Sequence, residues 1–277
     1  TSDLSVFAAK KALEMSGTDP KEIEMIIVAT VTPDHTMPNT ACLVQVALGC
    51  GPCVAWDLSA ACSGFVYASS VAHQYIKTGM YKKILVIGAE TLSRIVNYKD
   101  RETCILFGDG AGAAVIGRSE EGDTSEIIAE SLYSDGQLND LLTHPSSGSR
   151  IPPTPETLEK GLQYVTMKGR EIFKNAVRTM SRCARELLEN HGKTLEDVQW
   201  VIPHQANQRI IEAVAKQMSI PSEKIIMNLS RTGNTSAGSV PIALDEAVRD
   251  GRVKRGDLVL ITVFGAGLTS GGMLVRF

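Results

Sequence analysis

The sequence predicts a layered α/β fold built from two like halves. Short apolar runs suited to buried strands alternate with segments of helical period, as in sheets covered on both faces. The order helix–strand–loop–helix–strand–helix–strand then occurs twice along the chain. The two halves also share a local signature, Asp57-Leu58-Ser59 ahead of one helix entry and Asn228-Leu229-Ser230 ahead of the other. Self-similarity on this scale implies duplication, with two βαβ units sharing one interface. The halves are placed at 1–145 and 166–277, separated by a Pro/Ser-rich excursion at 146–165.

In the first half, Thr1 or Ser2 can cap a helix carrying Val6, Ala9 and Leu13 on one face, and Gly17 stops it. A strand is expected at 25–29, a Pro-rich loop at 32–38, and a helix at 40–48 closed by Gly49. A strand at 54–58, a helix at 63–77 and a strand at 84–87 follow, and 107–117 reads as a glycine turn entering another strand. In the second half, helix 172–190 leads to strand 197–202, helix 208–218, strand 225–229, helix 240–249 and strand 258–261. Between them, the composition from Pro145 to Pro155 is that of an exposed loop.

Of the 277 residues, 43% are hydrophobic and 21% charged, an ordinary globular profile. A net charge of −3 gives no electrostatic reason to expect nucleic acid or an anionic membrane as partner. No apolar run has membrane-spanning length and no leader pattern opens the chain, so a soluble cytoplasmic protein is the expectation. Six cysteines (42, 50, 53, 62, 104, 183) lie in a chain unlike a small secreted scaffold, so no structural disulfide is expected.

Cys50-Gly51-Pro52-Cys53 has the spacing of a redox dithiol, but that chemistry needs the first thiol at a helix N-terminus. Here a strand follows, and no second ligand pair supports zinc, so the motif reads as a structural turn. Ala60-Ala61-Cys62-Ser63-Gly64 has the opposite context, leaving a strand and opening a helix. Small neighbours admit a substrate, and the helix N-terminus directs free N–H groups and positive dipole at the sulfur, favouring thiolate. The same context also suits a buried structural cysteine.

The second half supplies partners for Cys62. His204, in Pro203-His204-Gln205-Ala206-Asn207, stands at the C-terminal end of a strand, where α/β proteins build sites. His35, His73, His144 and His191 lack that setting and read as surface residues. Asn234, in Gly233-Asn234-Thr235-Ser236-Ala237, falls at roughly the repeat-equivalent place to Cys62; alone it would be read as a turn residue. Phe264-Gly265-Ala266-Gly267-Leu268 is a glycine turn whose N–H groups suit an oxyanion hole. Phe107-Gly108-Asp109-Gly110-Ala111-Gly112 lacks a full dinucleotide-binding fingerprint.

Taken together, the stretches 57–65, 107–112, 203–207 and 233–237 resemble β-ketoacyl-acyl-carrier-protein synthase III, in the family's order and over nearly the whole chain. The resemblance implies a thiolase-like αβαβα fold and a decarboxylative condensation of an acyl-CoA starter, acetyl-CoA foremost, with malonyl-acyl carrier protein. It implies Cys62 as acyl carrier, His204 and Asn234 as donors to the enolate, and the N–H groups of Cys62 and Ala266 as oxyanion hole. Neither metal nor cofactor is implied, acyl-CoA being a substrate.

The same resemblance places Arg101 and Arg209 on coenzyme A or pantetheine, and Leu92, Phe107, Leu142 and Phe173 in the acyl pocket. Lys174 and Lys216 fall on the carrier-protein face, and Met37 on a loop reaching across a homodimer. It further implies an initial strand and helix ahead of Thr1, and a 146–160 stretch longer than the family's. Three rivals stand beside this reading: a non-catalytic subunit of the same fold, a redox protein using Cys50 and Cys53, and a synthase condensing a special starter for polyketide or signalling-molecule synthesis.

Overall fold

The computed structural model describes residues 1–120, 122–146 and 148–277. Two four-stranded sheets dominate it. In the first, the order is β2-β1-β3-β4, from β1 (Met25–Ala29), β2 (Val54–Leu58), β3 (Lys83–Thr91) and β4 (Asp109–Gly117). The second has the order β5-β10-β9-β8, from β5 (Glu126–Ser134), β8 (Trp200–Pro203), β9 (Leu258–Gly265) and β10 (Thr269–Arg276). Within each sheet β1 runs parallel to both β2 and β3, and β8 parallel to β9; β4, β5 and β10 are antiparallel to their neighbours.

The central strands β1, β3 and β9 are buried on both faces, and the period of two divides their side chains between separate cores. Met25, Ile27 and Ala29 of β1 face one way with Ile84 and Val86 of β3. They meet α3 (Gly64–Lys77) and α9 (Ser239–Arg249), whose other sides pack on Val259, Ile261 and Val263 of β9. Ile26, Val28, Leu85 and Ile87 face the opposite way, under α1 (Ser2–Ser16) and α2 (Thr40–Leu48). On the far side Leu258, Leu260 and Leu274 pack under α6 (Gly169–Asn190) and α7 (Gln208–Met218). Helices, sheet, helices, sheet and helices thus form five layers, the thiolase-like αβαβα order, with α3 and α9 shared in the middle.

Local signals place the helix ends. The Asn39 side chain accepts from Cys42 N (3.0 Å) at the start of α2, and Gly49 ends it in the left-handed region at φ 71°. Asp57 of β2 accepts from Thr40 N (2.7 Å) and Ala41 N (2.8 Å), setting a carboxylate on the positive end of α2. Thr1 precedes α1 as expected, but its side chain makes no cap; it bonds Thr32 O and Thr91 Oγ1 instead.

Two expectations about strands need correction. Residues 225–229 do not form one: Ile225 makes a single bridge to Val201, and the chain turns into the short α8 (Leu229–Thr232). The Gln205 side chain explains this, because it takes Ile226 O (3.3 Å) and Asn228 N (3.1 Å), the groups a further strand would use. The strands β5 and β10 were not foreseen. β5 lies in the first half by sequence but pairs with β10 in the second sheet, so the halves are not closed units.

Residues 146–155 open the excursion, where Ser147 is outside the described residues. The base of the excursion is pinned by β6 (Leu142–Thr143) pairing with β7 (Thr166–Met167). Its middle carries the one-turn α5 (Pro155–Glu159), capped reciprocally by Thr154 and Thr157, and another single turn, α4 (Arg101–Cys104), precedes β4.

Candidate active site

Cys62 sits where β2 gives way to α3, in a 3₁₀ turn over Ala61–Ser63. Ala61 has φ 48°, a left-handed conformation that L residues adopt only under constraint and that a small side chain tolerates best. A Cβ on Gly64 would stand 3.0 Å from Ala29 Cβ and 3.2 Å from Ala237 Cβ, so glycine lets the two central turns meet. The second half repeats the device: Ser236 also has φ 48°, in a 3₁₀ turn (Ser236–Gly238) that opens α9. By this backbone match the counterpart of Cys62 is Ala237, and Asn234 lies three residues earlier, which refines the rough equivalence read from the sequence.

His204 leaves the end of β8 with its N–H donated to Thr262 O (2.8 Å) and its ring almost wholly buried. Nδ1 lies 2.7 Å from Ser239 Oγ, in the first turn of α9; Nε2 has no partner among the described residues. Burial lowers the imidazole pKa to about 3, so the ring is neutral and carries one proton. When Ser239 donates to Nδ1, the ring presents Nε2–H; when Nδ1–H donates to Ser239, it presents a lone pair.

Asn234 is held by its backbone, donating to Leu106 O (2.8 Å) and accepting from Gly108 N (2.9 Å). Gly108 has no room for a side chain there, since a Cβ would come 2.2 Å from Thr232 O. The Asn234 Oδ1 accepts from Ser236 N (2.8 Å), which orients the amide and leaves its N–H₂ as the free end. Cys62, His204 and Asn234 line one narrow cavity, together with Phe107, Leu142 and Gly265.

The 3₁₀ turn Ala266–Leu268 follows β9 against the nucleophile turn. A Cβ on Gly265 would fall 2.8 Å from Cys62 N and 3.1 Å from Ser63 N. Thr269 Oγ1 lies 2.9 Å from Ala60 O and 3.2 Å from Ala266 O, tying the turns together. The backbone of Ala266 therefore stands beside that of Cys62, an arrangement able to offer two N–H groups to one oxygen.

The thiol itself departs from expectation. Burial, reinforced by the negative charge of Glu90 and opposed by the Ser236 hydroxyl, pushes Cys62 up to about 12. Burial thus acts against charge on the sulfur, in the direction opposite to the helix end.

The other sequence-derived residues divide. Phe107 and Leu142 line the cavity. Leu92 is buried and Phe173 half-buried, but neither lines it; the wall there comes from Ile172, Ala176 and Met180 of α6, with Met167 and Phe264, which the sequence did not single out. Arg209 is exposed in the first turn of α7, two residues past cavity-lining Asn207, and Arg101 is exposed at the start of α4. Lys174 and Lys216 are exposed on α6 and α7, which pack together, and Lys174 pairs with Glu171 (3.4 Å). Met37 is 82% exposed in the loop between β1 and α2, outside the cavity of its own chain. Cys50 and Cys53 are free thiols in the turn after α2, where Gln45 Nε2 bonds Gly51 O (3.0 Å) and Cys53 O (3.3 Å).

Known proteins share this sequence and fold. Residues 56–136 match 3-oxoacyl-[acyl-carrier-protein (ACP)] synthase III, and residues 188–277 match its C-terminal part. The β-ketoacyl-[acyl-carrier-protein] synthase III of Caldanaerobacter subterraneus subsp. tengcongensis is 51% identical over 277 residues, spanning 100% of this chain and 83% of that protein. The crystal structure of 3-oxoacyl-[acyl-carrier-protein] synthase III from Aquifex aeolicus VF5 superposes with a TM-score of 0.91 at 49% identity, covering 99% of this chain and 83% of that one. A priming β-ketosynthase from the R1128 polyketide pathway superposes with a TM-score of 0.88 at 35% identity, covering 98% and 80%. With half its residues identical to such a relative along its whole length, the chain belongs to the 3-oxoacyl-[acyl-carrier-protein] synthase III family.

Proposed function

We propose that the protein condenses an acyl-CoA starter, acetyl-CoA foremost, with malonyl-acyl carrier protein, releasing carbon dioxide and initiating fatty acid synthesis. The observation that carries the reading is the convergence of Cys62, His204 and Asn234 on one buried cavity, with the amide orientation fixed. The Cys62 sulfur attacks the thioester carbonyl, and the N–H groups of Cys62 and Ala266 hold the oxyanion until coenzyme A leaves. Malonyl-acyl carrier protein then takes its place. Nε2–H of His204 and the Asn234 amide donate to its thioester oxygen as carbon dioxide departs, and the resulting carbanion attacks the acyl group on Cys62.

Phe107 and Leu142 bound the acyl chain, with Leu92 and Phe173 as further acyl-pocket positions. Arg101 and Arg209 take the coenzyme A or pantetheine arm, and Lys174 and Lys216 meet the acidic carrier protein. Met37 reaches the acyl pocket of a second copy in a cytoplasmic homodimer, and no metal or cofactor takes part. We take the halves 1–145 and 166–277 as products of duplication, with β5 handed from the first to the second sheet.

Radiolabelled acetyl-CoA should label the native protein and not Cys62→Ser. Asn234→Ala should still be labelled yet fail to release carbon dioxide, since an amide stabilises the enolate and takes no part in removing the thiol proton. Equal labelling of native protein and Cys62→Ser, or normal decarboxylation by Asn234→Ala, refutes the assignment.

A further inference from the structure

Glu90, next to last in β3, is fully buried, and no cation pairs with it among the described residues. Its Oε2 accepts from Thr30 Oγ1 (3.2 Å), Thr32 N (3.1 Å) and Thr32 Oγ1 (2.6 Å). Val31 N is shared, 3.1 Å from Oε2 and 3.2 Å from Oε1, and Oε1 has no other formed bond. One oxygen is crowded with donors while the other keeps a lone pair free. Burial wins over the donors and raises the carboxyl to about 7.

Ser236 opens the Ser236–Gly238 turn, which packs against both β3, the strand carrying this carboxyl, and the turn carrying the nucleophile. It is 2% exposed, and its Oγ makes no hydrogen bond of good geometry. The hydroxyl is nevertheless close enough to both groups to lower the pKa of Cys62 and of Glu90. A buried hydroxyl without a settled partner, on a turn packed against the elements that carry a thiol and a carboxylate, can accept from one and donate to the other.

We propose that Ser236 and Glu90 form a proton relay beneath the nucleophile, in which Glu90 keeps the Cys62 proton while Cys62 carries the acyl group. The inference rests on the acyl-transfer reading above. As the Cys62 sulfur bonds to the carbonyl carbon, its proton passes to Ser236 Oγ and the Ser236 proton passes to Glu90 Oε1. The intermediate collapses, its bond to the coenzyme A sulfur breaks, and that thiolate leaves with the electron pair to be protonated by solvent. In the condensation the carbanion attacks, the bond to Cys62 breaks, and the sulfur recovers its proton from Glu90 through Ser236. The relay ends each cycle as it began.

The alternative acceptor is His204, but an imidazole held near 3 is a far weaker base than a carboxylate near 7. Other charged groups on the packed elements are engaged elsewhere: Asp109 of β4 with Ser93, and Asp34 with Ser2 and the amino group of Thr1.

The test follows the two half-reactions separately across pH, with melting curves to verify folding. Acylation is read by coenzyme A release from acetyl-CoA in a single turnover, and decarboxylation by carbon dioxide from malonyl-acyl carrier protein. Native acylation should rise through about pH 7 as Glu90 ionises. Ser236→Ala is the main variant, because Ala61 already occupies the twin turn at the same φ of 48°. It should acylate about 10²-fold more slowly, without the inflection, while decarboxylating within about threefold of native. Glu90→Gln, if folded, should lose the same inflection. A native rate and profile in Ser236→Ala overturns the relay, and so does an equal fall in both half-reactions. A native protein that forms no acyl-enzyme overturns the acyl-transfer reading itself, which is seen before any variant is compared.

Discussion

Replacing Ser239 by Ala tests how the buried histidine is prepared for its task. The hydroxyl 2.7 Å from Nδ1 is the ring's partner on that side, and the ring is neutral because burial holds it near 3. Alanine is at ease in the first turn of α9, so the fold should survive. What changes is the imidazole: Nδ1 loses its hydrogen bond, and the tautomer bearing the proton on Nε2 loses its advantage. Leaving a buried polar group unsatisfied costs about 1–3 kcal/mol. If that cost falls on the form that donates to the enolate, decarboxylation slows by about 5- to 150-fold.

Acylation should stay within about threefold, because a ring this weakly basic is not the acceptor of the thiol proton. Carbon dioxide release from malonyl-acyl carrier protein and single-turnover acylation give both numbers from one preparation. Between about pH 5 and about pH 9 the decarboxylation profile should show no histidine inflection in either protein. A variant that decarboxylates like native, or loses both half-reactions equally, refutes the reasoning.

Gly265→Ala drives a methyl group to 2.8 Å from Cys62 N and from Thr269 Oγ1; acylation should fall about 10²-fold as the oxyanion donors shift, and native acylation would place that hole elsewhere. The Glu90 carboxyl, raised from 4.5 to about 7, binds its proton more tightly in the folded chain, so the protein gains stability below the unfolded value and loses it as pH rises through the folded one. The difference is about 3 kcal/mol, so urea midpoints of native protein relative to Glu90→Gln should fall from about pH 4.5 to about pH 7; a constant difference contradicts it. Sedimentation should show a dimer, and Met37→Phe should shift preference toward shorter acyl groups; a monomer, or an unchanged chain-length profile, removes Met37 from the partner's pocket.

Cys62 and His204 were legible because each stands just past a strand, where α/β proteins build sites. Asn234, alone a turn residue, was singled out beside them and by the family resemblance, and the cavity brings the three together. What was hidden depends on distant contacts. Ile172, Ala176 and Met180 line the cavity at a spacing of four residues on α6, whereas Phe173 is rotated about 100° from Ile172 and packs beside them. A one-position error on a helix is enough to select the wrong wall. Gln205 reads as part of a motif, yet its amide replaces a strand partner for residues 226 and 228. Glu90 ends an apolar run and looks like an exposed strand terminus, but the Thr30–Thr32 backbone wraps over it.

The same dependence explains why the thiol was misjudged. A sequence displays the turn and the helix N-terminus, which favour a thiolate, but not the depth of burial or a carboxylate reached through a distant strand. Both of those act against charge on sulfur, opposite to the helix end. The twin turns show how the fold answers that cost. One places Cys62 after a left-handed Ala61; the other places a left-handed Ser236 at the matching position, with Asn234 two residues before it and Ser239 three residues after. The duplicated backbone is thus used once for the nucleophile and once for the groups that serve it. Because α3 and α9 share the central layer, a displacement of one turn reaches the other through the Gly64 and Ala237 contact. Any substitution that widens this contact should therefore affect Cys62 and Asn234 together, which separates it from Ser236→Ala and Ser239→Ala, each expected to act on one half-reaction.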